Sequence, residues 1–250
     1  MTNKIAVVTG GAEGIGRAYS ERLSLDGADV IIVDKRPADE TIRLIRNAGG
    51  RARAITCDLV RPEEIEATVA DIMSNEGGCD ILVNNAGFGP TRPFETIDYG
   101  MLRFVLALNL EAPMLLSLGL VPSMKARGWG RIVNVASCML GMALPGYTEY
   151  MAAKGGVVGF TRALATDLGE SGITVNAIAP GLVRTPLTEI GREGQAGLSD
   201  YVFDAVVGMQ AIKRSEVPGD LVGAVSFLTS DDSAFVTGQL FVVDGGIVRN

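Results

Sequence analysis

The chain has no histidine among its 250 residues. That absence excludes Ser-His-Asp triads, histidine-ligated metals and the usual near-neutral general base, so acid–base chemistry must come from Tyr, Lys, Asp, Glu or Cys. Cysteine is scarce as well. Cys57, Cys79 and Cys138 are odd in number and lack metal-type spacing, which predicts neither a disulfide framework nor a zinc site and fits a reducing, cytoplasmic compartment. Basic charge is in deficit: 22 Lys and Arg against 29 Asp and Glu give a net charge of −7. Nucleic acid and anionic membrane surfaces are therefore poor candidates for the main partner. Only Met1 to Lys4 precede the first apolar run, Ile5 to Val8, and the pattern of a signal peptide is not there. The most hydrophobic stretch, Phe104 to Val121, is interrupted by Asn109, Glu111 and Pro113, which predicts a buried helix rather than a membrane span. With no Pro/Ser-rich linker, low-complexity tract or clear repeat, the expectation is one domain over residues 1–250.

An apolar fraction of 47% provides for a real core. Short β-branched runs alternate with amphipathic stretches. Ile5–Thr9, Val30–Val33, Ala52–Thr56, Ile81–Val83, Arg131–Ala136, Thr174–Ala179 and Leu240–Val243 read as strands with helices between them. This alternation predicts an α/β Rossmann fold, a doubly wound, seven-stranded parallel sheet with helices on both faces. Residues 185–213 depart from the rhythm. Gly191, Gly194 and Gly197 are followed by the apolar cluster Tyr201, Val202, Phe203, Val206 and Val207. Two readings stay open there: a substrate lid moving on its glycines, or an inserted helical pair used in subunit contact.

The first strand runs into Thr9-Gly10-Gly11-Ala12-Glu13-Gly14-Ile15-Gly16 and then a helix. Glycines at a strand–helix junction allow backbone N–H groups to approach a pyrophosphate, which the helix N-terminus also attracts. Asp34 ends the second strand, where a carboxylate accepts bonds from adenosine ribose hydroxyls and repels a 2′-phosphate. Glu13 adds repulsion of the same sign, so NAD is favoured over NADP. Lys35 and Arg36 are the counter-evidence, because a basic side chain there can hold that phosphate. Asp58 follows the third strand and Asn84-Asn85-Ala86-Gly87 the fourth; each alone is ordinary turn chemistry, but together they mark one edge of the sheet. Ser137 ends the fifth strand, and Tyr150 and Lys154 stand four residues apart, on one face of a helix. An ammonium near the phenol is expected to lower its pKa. A half-buried Tyr beside an exposed Lys is the plainer reading of that spacing.

Thr9–Gly16, Asn84–Gly87, Asn109, Ser137, Tyr150 with Lys154, Pro180-Gly181 to Thr185, Thr237-Gly238-Gln239 and Asp244-Gly245-Gly246 occur in an order and spacing that resemble the short-chain dehydrogenase/reductase family over nearly the whole chain. Within that family, and particularly from Gly128 onward, the chain is similar to NAD-dependent secondary-alcohol dehydrogenases of the (S)-1-phenylethanol type. The resemblance implies Tyr150 as general acid/base, Ser137 as hydrogen-bond partner of the substrate oxygen, and Lys154 on the nicotinamide ribose. It implies that Asn109 holds a water in a relay to Lys154. Gly10, Glu13, Gly14, Ile15 and Gly16 would line the pyrophosphate, Asp58 and Leu59 would meet the adenine, and Asn85, Ala86 and Gly87 would run beneath the cofactor. Pro180, Gly181, Val183 and Thr185 would face the nicotinamide side. A homotetramer is implied by the resemblance alone.

The residues this fold would place at the reactive end are mostly apolar: Phe88, Pro90, Cys138, Met139, Leu140, Leu144, Tyr147, Leu182, Leu187, Phe203 and Val206. Such a wall suits a hydrophobic, aryl or cyclic secondary alcohol or ketone. Several of these residues can equally belong to the core. Arg92 and Arg184 are the candidates for holding an anionic substrate, and Cys138 reads as wall rather than nucleophile. One rival reading is an NADPH-dependent 3-oxoacyl carrier-protein reductase, against which Asp34, Glu13 and the acidic charge speak. Another is a catalytically silent dinucleotide-binding protein, which would be expected to lack Ser137, Tyr150 or Lys154.

Overall fold

The computed structural model describes residues 1–142, 144–192 and 195–249; Gly194, one of the three glycines singled out above, lies outside them. Strands β1 (Ile5–Thr9), β2 (Asp29–Asp34), β3 (Ala52–Thr56), β4 (Ile81–Asn84), β5 (Gly130–Val135) and β6 (Ile173–Pro180) are as expected to within one residue at either end. A short ribbon, β7 (Gly191–Arg192) with β8 (Gln195–Ala196), precedes the last strand, β9 (Leu240–Val243). The main sheet has the order β3-β2-β1-β4-β5-β6-β9, and every pairing in it is parallel. Between the strands run α1 (Gly14–Leu25), α2 (Asp39–Asn47), α3 (Pro62–Glu76), α4 (Tyr99–Leu106), α5 (Ala112–Arg127), α6 (Thr148–Leu168), α7 (Pro186–Ile190), α8 (Asp200–Met209) and α9 (Val222–Leu228).

Strand side chains alternate between two cores because the pleat has a period of two. Ala6 and Val8 of β1 face a cluster that includes Tyr19 and Leu23 of α1, Ile45 of α2 and Val225 and Leu228 of α9. Val7, between them, faces the other cluster, with Ile65 and Ile72 of α3, Leu116, Leu120 and Met124 of α5, and Leu168 of α6. Both faces of the sheet are covered, which is why its central strands read as continuous apolar runs.

The apolar stretch around Phe104–Val121 is helical but buried on one face only. The whole segment Tyr99–Arg127 has the length and apolar content to cross a bilayer. Its inner face nevertheless packs on the second cluster and carries buried Asn109, Ser117 and Ser123, while Met114 and Leu118 are exposed. A π turn, Ala107–Glu111, joins α4 to α5 around Asn109; such one-turn expansions cluster at functional sites.

Core packing between α3, α5 and the sheet generates the first prediction. Leu116 is fully buried, so Leu116→Ala should lower unfolding free energy by about 2–5 kcal/mol. Urea titration followed by circular dichroism measures it, and an unchanged midpoint would contradict this account of the core.

Candidate active site

The strand order changes direction between β1 and β4, and ligands of open parallel sheets sit where this happens, at the carboxyl ends. Here the switch is held by one hydroxyl. Thr9 Oγ1, at the end of β1, accepts the backbone N–H groups of Asn85 (2.9 Å) and Ala86 (3.0 Å), while the Asn85 side-chain amide donates to the Thr9 carbonyl at 2.9 Å. Deeper in the sheet, Asn84 donates to Asn134 at 2.8 Å and Asn134 to Thr161 at 2.9 Å, tying β4 and β5 to α6.

Along this edge lies a cavity of about 430 Å³. It runs from Cys57-Asp58-Leu59-Val60, after β3, to Pro180-Gly181-Leu182-Val183, after β6. Gly10, Glu13, Gly14, Ile15, Gly16, Asp34, Asp58, Leu59, Asn85, Ala86, Gly87, Pro180, Gly181, Val183 and Thr185 all line it, as do Ser137, Tyr150 and Lys154. The glycine loop turns through positive φ at Gly10 (+67°) and Gly14 (+57°), conformations that cost an L-residue. Glu13, the N-cap of α1, places no side-chain bond on the first turn, so the helix presents its N–H groups and positive dipole end to the cavity. These donors, the carboxylate at the end of β2 and the length of the cavity fit an extended dinucleotide.

Asp34 is nearly buried and its carboxylate is already engaged. Oδ2 accepts the Ala12 N–H at 3.1 Å and Oδ1 the Arg36 N–H at 3.0 Å. The Arg36 guanidinium lies between two acids, 2.7 Å from Glu13 and 3.3 Å from Asp34. Of the two basic side chains that would argue for a 2′-phosphate, Arg36 is thus bound by the acids that argue against one, while Lys35 also lines the cavity.

At the other end, Tyr150 occupies the first turn of α6 and Lys154 the next. Gly89 packs its backbone on the Tyr150 ring; a Cβ there would come within 2.9 Å of ring carbons. Burial pushes the Tyr150 phenol up to about 12, against the pull of the Ser137 hydroxyl in the other direction. Lys154 is buried, donates to the Val135 carbonyl at 2.7 Å, and is pushed down by burial to about 8. The Lys154 ammonium lies 5.6 Å from the centre of the Tyr150 ring. The expected lowering of the phenol by Lys154 is not found in the chain alone: burial is the largest influence, and the downward pull comes from Ser137. The plainer reading, with an exposed Lys, is not what the fold contains either.

Asn109 stands behind this wall rather than on it. Its amide donates to the carbonyls of Phe88 and Val105, both at 2.9 Å, and its oxygen accepts the Phe88 N–H at 3.2 Å, which fixes the segment carrying Gly87 and Phe88 under the cavity.

Phe88, Cys138, Met139, Leu144, Tyr147, Leu182, Leu187 and Val206 line the cavity. Phe203 does not; it is buried beneath the Arg184 guanidinium, 4.0 Å from the ring centre. Leu140 packs with Ala136, Ala177 and Ala179 instead, and Pro90 is also absent from the lining. Both candidate anion holders have acidic partners: Arg92 is 3.4 Å from Glu149, and Arg184 bonds Glu189 at 3.2 Å and Asp200 at 2.9 Å. Cys138 is pushed up to about 12, mainly by burial, so it is a thiol wall, not a nucleophile. Further lining comes from Gly89, Phe104, Leu108, Met142, Leu198, Val202 and Ile247. Of these, Val202 lay in the apolar cluster noted in the sequence and Phe104 and Leu108 in the long apolar run; Met142 and Ile247 carry no pattern that would single them out.

A parallel dinucleotide-type sheet with Ser, Tyr and Lys at one end of its cavity defines a nicotinamide-dependent oxidoreductase site. A family model described as enoyl-(acyl carrier protein) reductase matches residues 10–248. The chain is 39% identical to the short-chain reductase protein NovJ of Streptomyces niveus, covering 97% of this chain and 93% of that one. It is 37% identical to the cis-4-hydroxycyclohexanecarboxylate dehydrogenase of Sinomonas cyclohexanicum, covering 98% and 97%. A solved structure provisionally assigned as an NAD(P) dependent gluconate 5-dehydrogenase of Beutenbergia cavernae, with NADP bound at low occupancy, superposes with a TM-score of 0.91 at 35% identity, covering 99% and 97%. The chain belongs to the short-chain dehydrogenase/reductase family. It is accordingly an oxidoreductase of CH–OH groups that binds a nicotinamide dinucleotide.

The Thr9 hydroxyl generates the second prediction. Thr9→Val keeps the shape but leaves the Ala86 N–H without its acceptor and the Asn85 N–H with the Val83 carbonyl alone, at a cost of about 1–3 kcal/mol. Denaturant titration should register that loss together with weaker dinucleotide binding; unchanged values of both would remove Thr9 from its role at the switch.

Proposed function

We propose that the protein interconverts a hydrophobic secondary alcohol, aryl or cyclic, and its ketone, with NAD(H) as hydride carrier. The observation that carries this reading is the convergence of Ser137, Tyr150 and buried Lys154 on one end of the cavity, where the surrounding lining is apolar. When bound, the nicotinamide supplies or accepts the hydride.

Tyr150 holds the proton that moves. As a phenol it donates that proton to the developing alkoxide in reduction; as phenolate it takes the hydroxyl proton in oxidation. Ser137 orients the substrate oxygen toward Tyr150. Lys154, held by the Val135 carbonyl, would hold the cofactor ribose. Phe88, Met139, Leu144, Tyr147 and Leu187 shape an apolar, water-poor place for the substrate body, and the acid-paired states of Arg92 and Arg184 support an uncharged substrate over an anionic one.

NAD is the preferred carrier because a 2′-phosphate would face the carboxylates of Asp34 and Glu13 while Arg36 stays bound between them. Residues 185–213 act as the lid. Leu187, Gly191, Ala196, Leu198, Val202 and Val206 come from it to the cavity, and Thr185 starts it firmly with a capping box on Thr188.

A panel of aryl, cyclic and short aliphatic alcohols and ketones, with acyl thioesters as the rival class, tests the reading with both cofactors by absorbance of the reduced nicotinamide. Bulky apolar secondary alcohols with NAD should lead; faster turnover of acyl thioesters with NADPH would overturn it.

Tyr150→Phe should cut turnover by about 10²–10⁴-fold while dinucleotide binding persists, and retained turnover would remove Tyr150 from the mechanism. The pH dependence follows from the raised phenol pKa. The protonated donor is present throughout neutral pH, so reduction should be flat there, whereas oxidation needs the phenolate and should rise with pH. Initial rates in each direction across the pH range measure this.

A further inference from the structure

Glu216 lies between α8 and α9 and is almost fully buried. Its Oε2 accepts the Gly181 N–H at 2.9 Å, and its backbone carbonyl accepts the Arg184 N–H at 2.9 Å. Its Oε1 is buried without a hydrogen-bond partner among the described residues, as is the Tyr19 hydroxyl of α1. Asp244, just after β9, stands beside it, with its carboxylate accepting the N–H groups of Gly246 (2.8 Å), Ile247 (3.1 Å) and Val248 (2.8 Å). A Cβ on Gly181 would lie 2.5 Å from Glu216 Oε2 and 3.1 Å from the Asp244 Cα. Since Gly181 lines the cavity, one glycine separates two buried acids from the end of the site where Tyr150 stands. Their field reaches the wall: after burial, Asp244 and Glu216 are what raise the Cys138 thiol.

We propose that Glu216 sets the redox preference of the site, its carboxylate, with that of Asp244, favouring the positively charged oxidised nicotinamide over the neutral reduced ring. The inference rests on the nicotinamide reading above, with the ring at the end of the cavity formed by β5 and β6. Asp34 and Glu13, at the opposite end, do not distinguish the two forms in this way, because the charge that changes sits on the nicotinamide ring.

Ionisation of Glu216 decides when the preference operates. Burial pushes its carboxyl up to about 7; the Gly181 N–H and Arg214 pull it down, while Asp220 and Asp244 raise it further. Arg214 is itself held by Asp220, and Tyr19 faces the group from α1. The charged form exists above that pKa, so the preference for the oxidised dinucleotide should be present at alkaline pH and fade as pH falls through about 7. By linkage, binding the oxidised form should expel a proton near neutrality.

The test is equilibrium binding, read by titration calorimetry on the full chain with NAD⁺ and NADH separately, for wild type, Glu216→Gln and Glu216→Asp. Glutamine keeps an oxygen for the Gly181 N–H and removes the charge. At alkaline pH, Glu216→Gln should raise the ratio of the NAD⁺ to the NADH dissociation constant by roughly tenfold. Glu216→Asp should stay near the wild-type ratio. A shift of both constants together, with the ratio unchanged, would mean a structural role and overturn the proposal. Should Glu216→Gln not fold, wild type in buffers of different ionisation enthalpy decides: no proton release on binding NAD⁺ near neutrality overturns it equally. A wild type that binds neither dinucleotide would instead bring down the nicotinamide reading, and this inference with it.

Discussion

Seven strands that all run the same way bring seven carboxyl ends to one edge of the sheet, and everything functional in this chain depends on what happens where those ends part. Between β1 and β4 the crossovers leave in opposite directions, opening a crevice that backbone hydrogen bonding alone would not hold in register. The Thr9 hydroxyl bridges it by accepting from Asn85 and Ala86, while the buried Asn84–Asn134–Thr161 chain anchors the neighbouring strands to α6, the helix that carries Tyr150 and Lys154. The position of the reactive pair is therefore a consequence of sheet geometry, transmitted through satisfied polar groups in a low-dielectric interior, where an unmade bond is costly.

Burial also sets the chemistry at the reactive end, and it acts in opposite directions on groups of opposite charge type. It raises Tyr150 and lowers Lys154, so the neutral form of each is favoured and Lys154 gives up its proton at lower pH than Tyr150. The chain alone is thus arranged as a proton donor. Stabilising the phenolate calls for positive charge from outside the protein, and an oxidised nicotinamide carries it. This couples the proton to the hydride: the base form of Tyr150 is favoured by the cofactor state that oxidation requires.

Much of this was legible in the sequence because it depends on local spacing. The strand–glycine–helix junction at Thr9–Gly16, the acid at the end of β2 and the four-residue step from Tyr150 to Lys154 are short-range patterns, and each contributes residues to one cavity. What was not legible depends on contacts between distant segments. The sequence shows Arg36 next to Asp34 but not that Glu13, from another loop, completes its pairing. Phe203 belongs to an apolar cluster, yet which of its members reach the cavity depends on how α8 rotates, and Phe203 lies under the Arg184 guanidinium instead. Asn109 was conspicuous as a polar residue in an apolar run; the π turn that carries it was not, because widening a helix by one residue leaves no period of its own. Glu216 had no signal at all, since its partner Gly181 lies 35 residues earlier.

The distribution of charge along the cavity links these features. At the β2 end, Asp34 and Glu13 hold Arg36 between them, suited to sugar hydroxyls and unfavourable to an added phosphate. In the middle, the uncapped start of α1 offers N–H groups to an anion. At the β6 end, Glu216 and Asp244 stand behind Gly181, suited to a cation. In the proposed reading a neutral ribose, an anionic pyrophosphate and a cationic ring meet these three environments in the same order. An acidic chain can bind a doubly phosphorylated cofactor because its dipoles, rather than its net charge, face the phosphates. The Asp34 carboxylate lies toward one end and those of Glu216 and Asp244 toward the other, where the proposed cofactor has hydroxyls or positive charge.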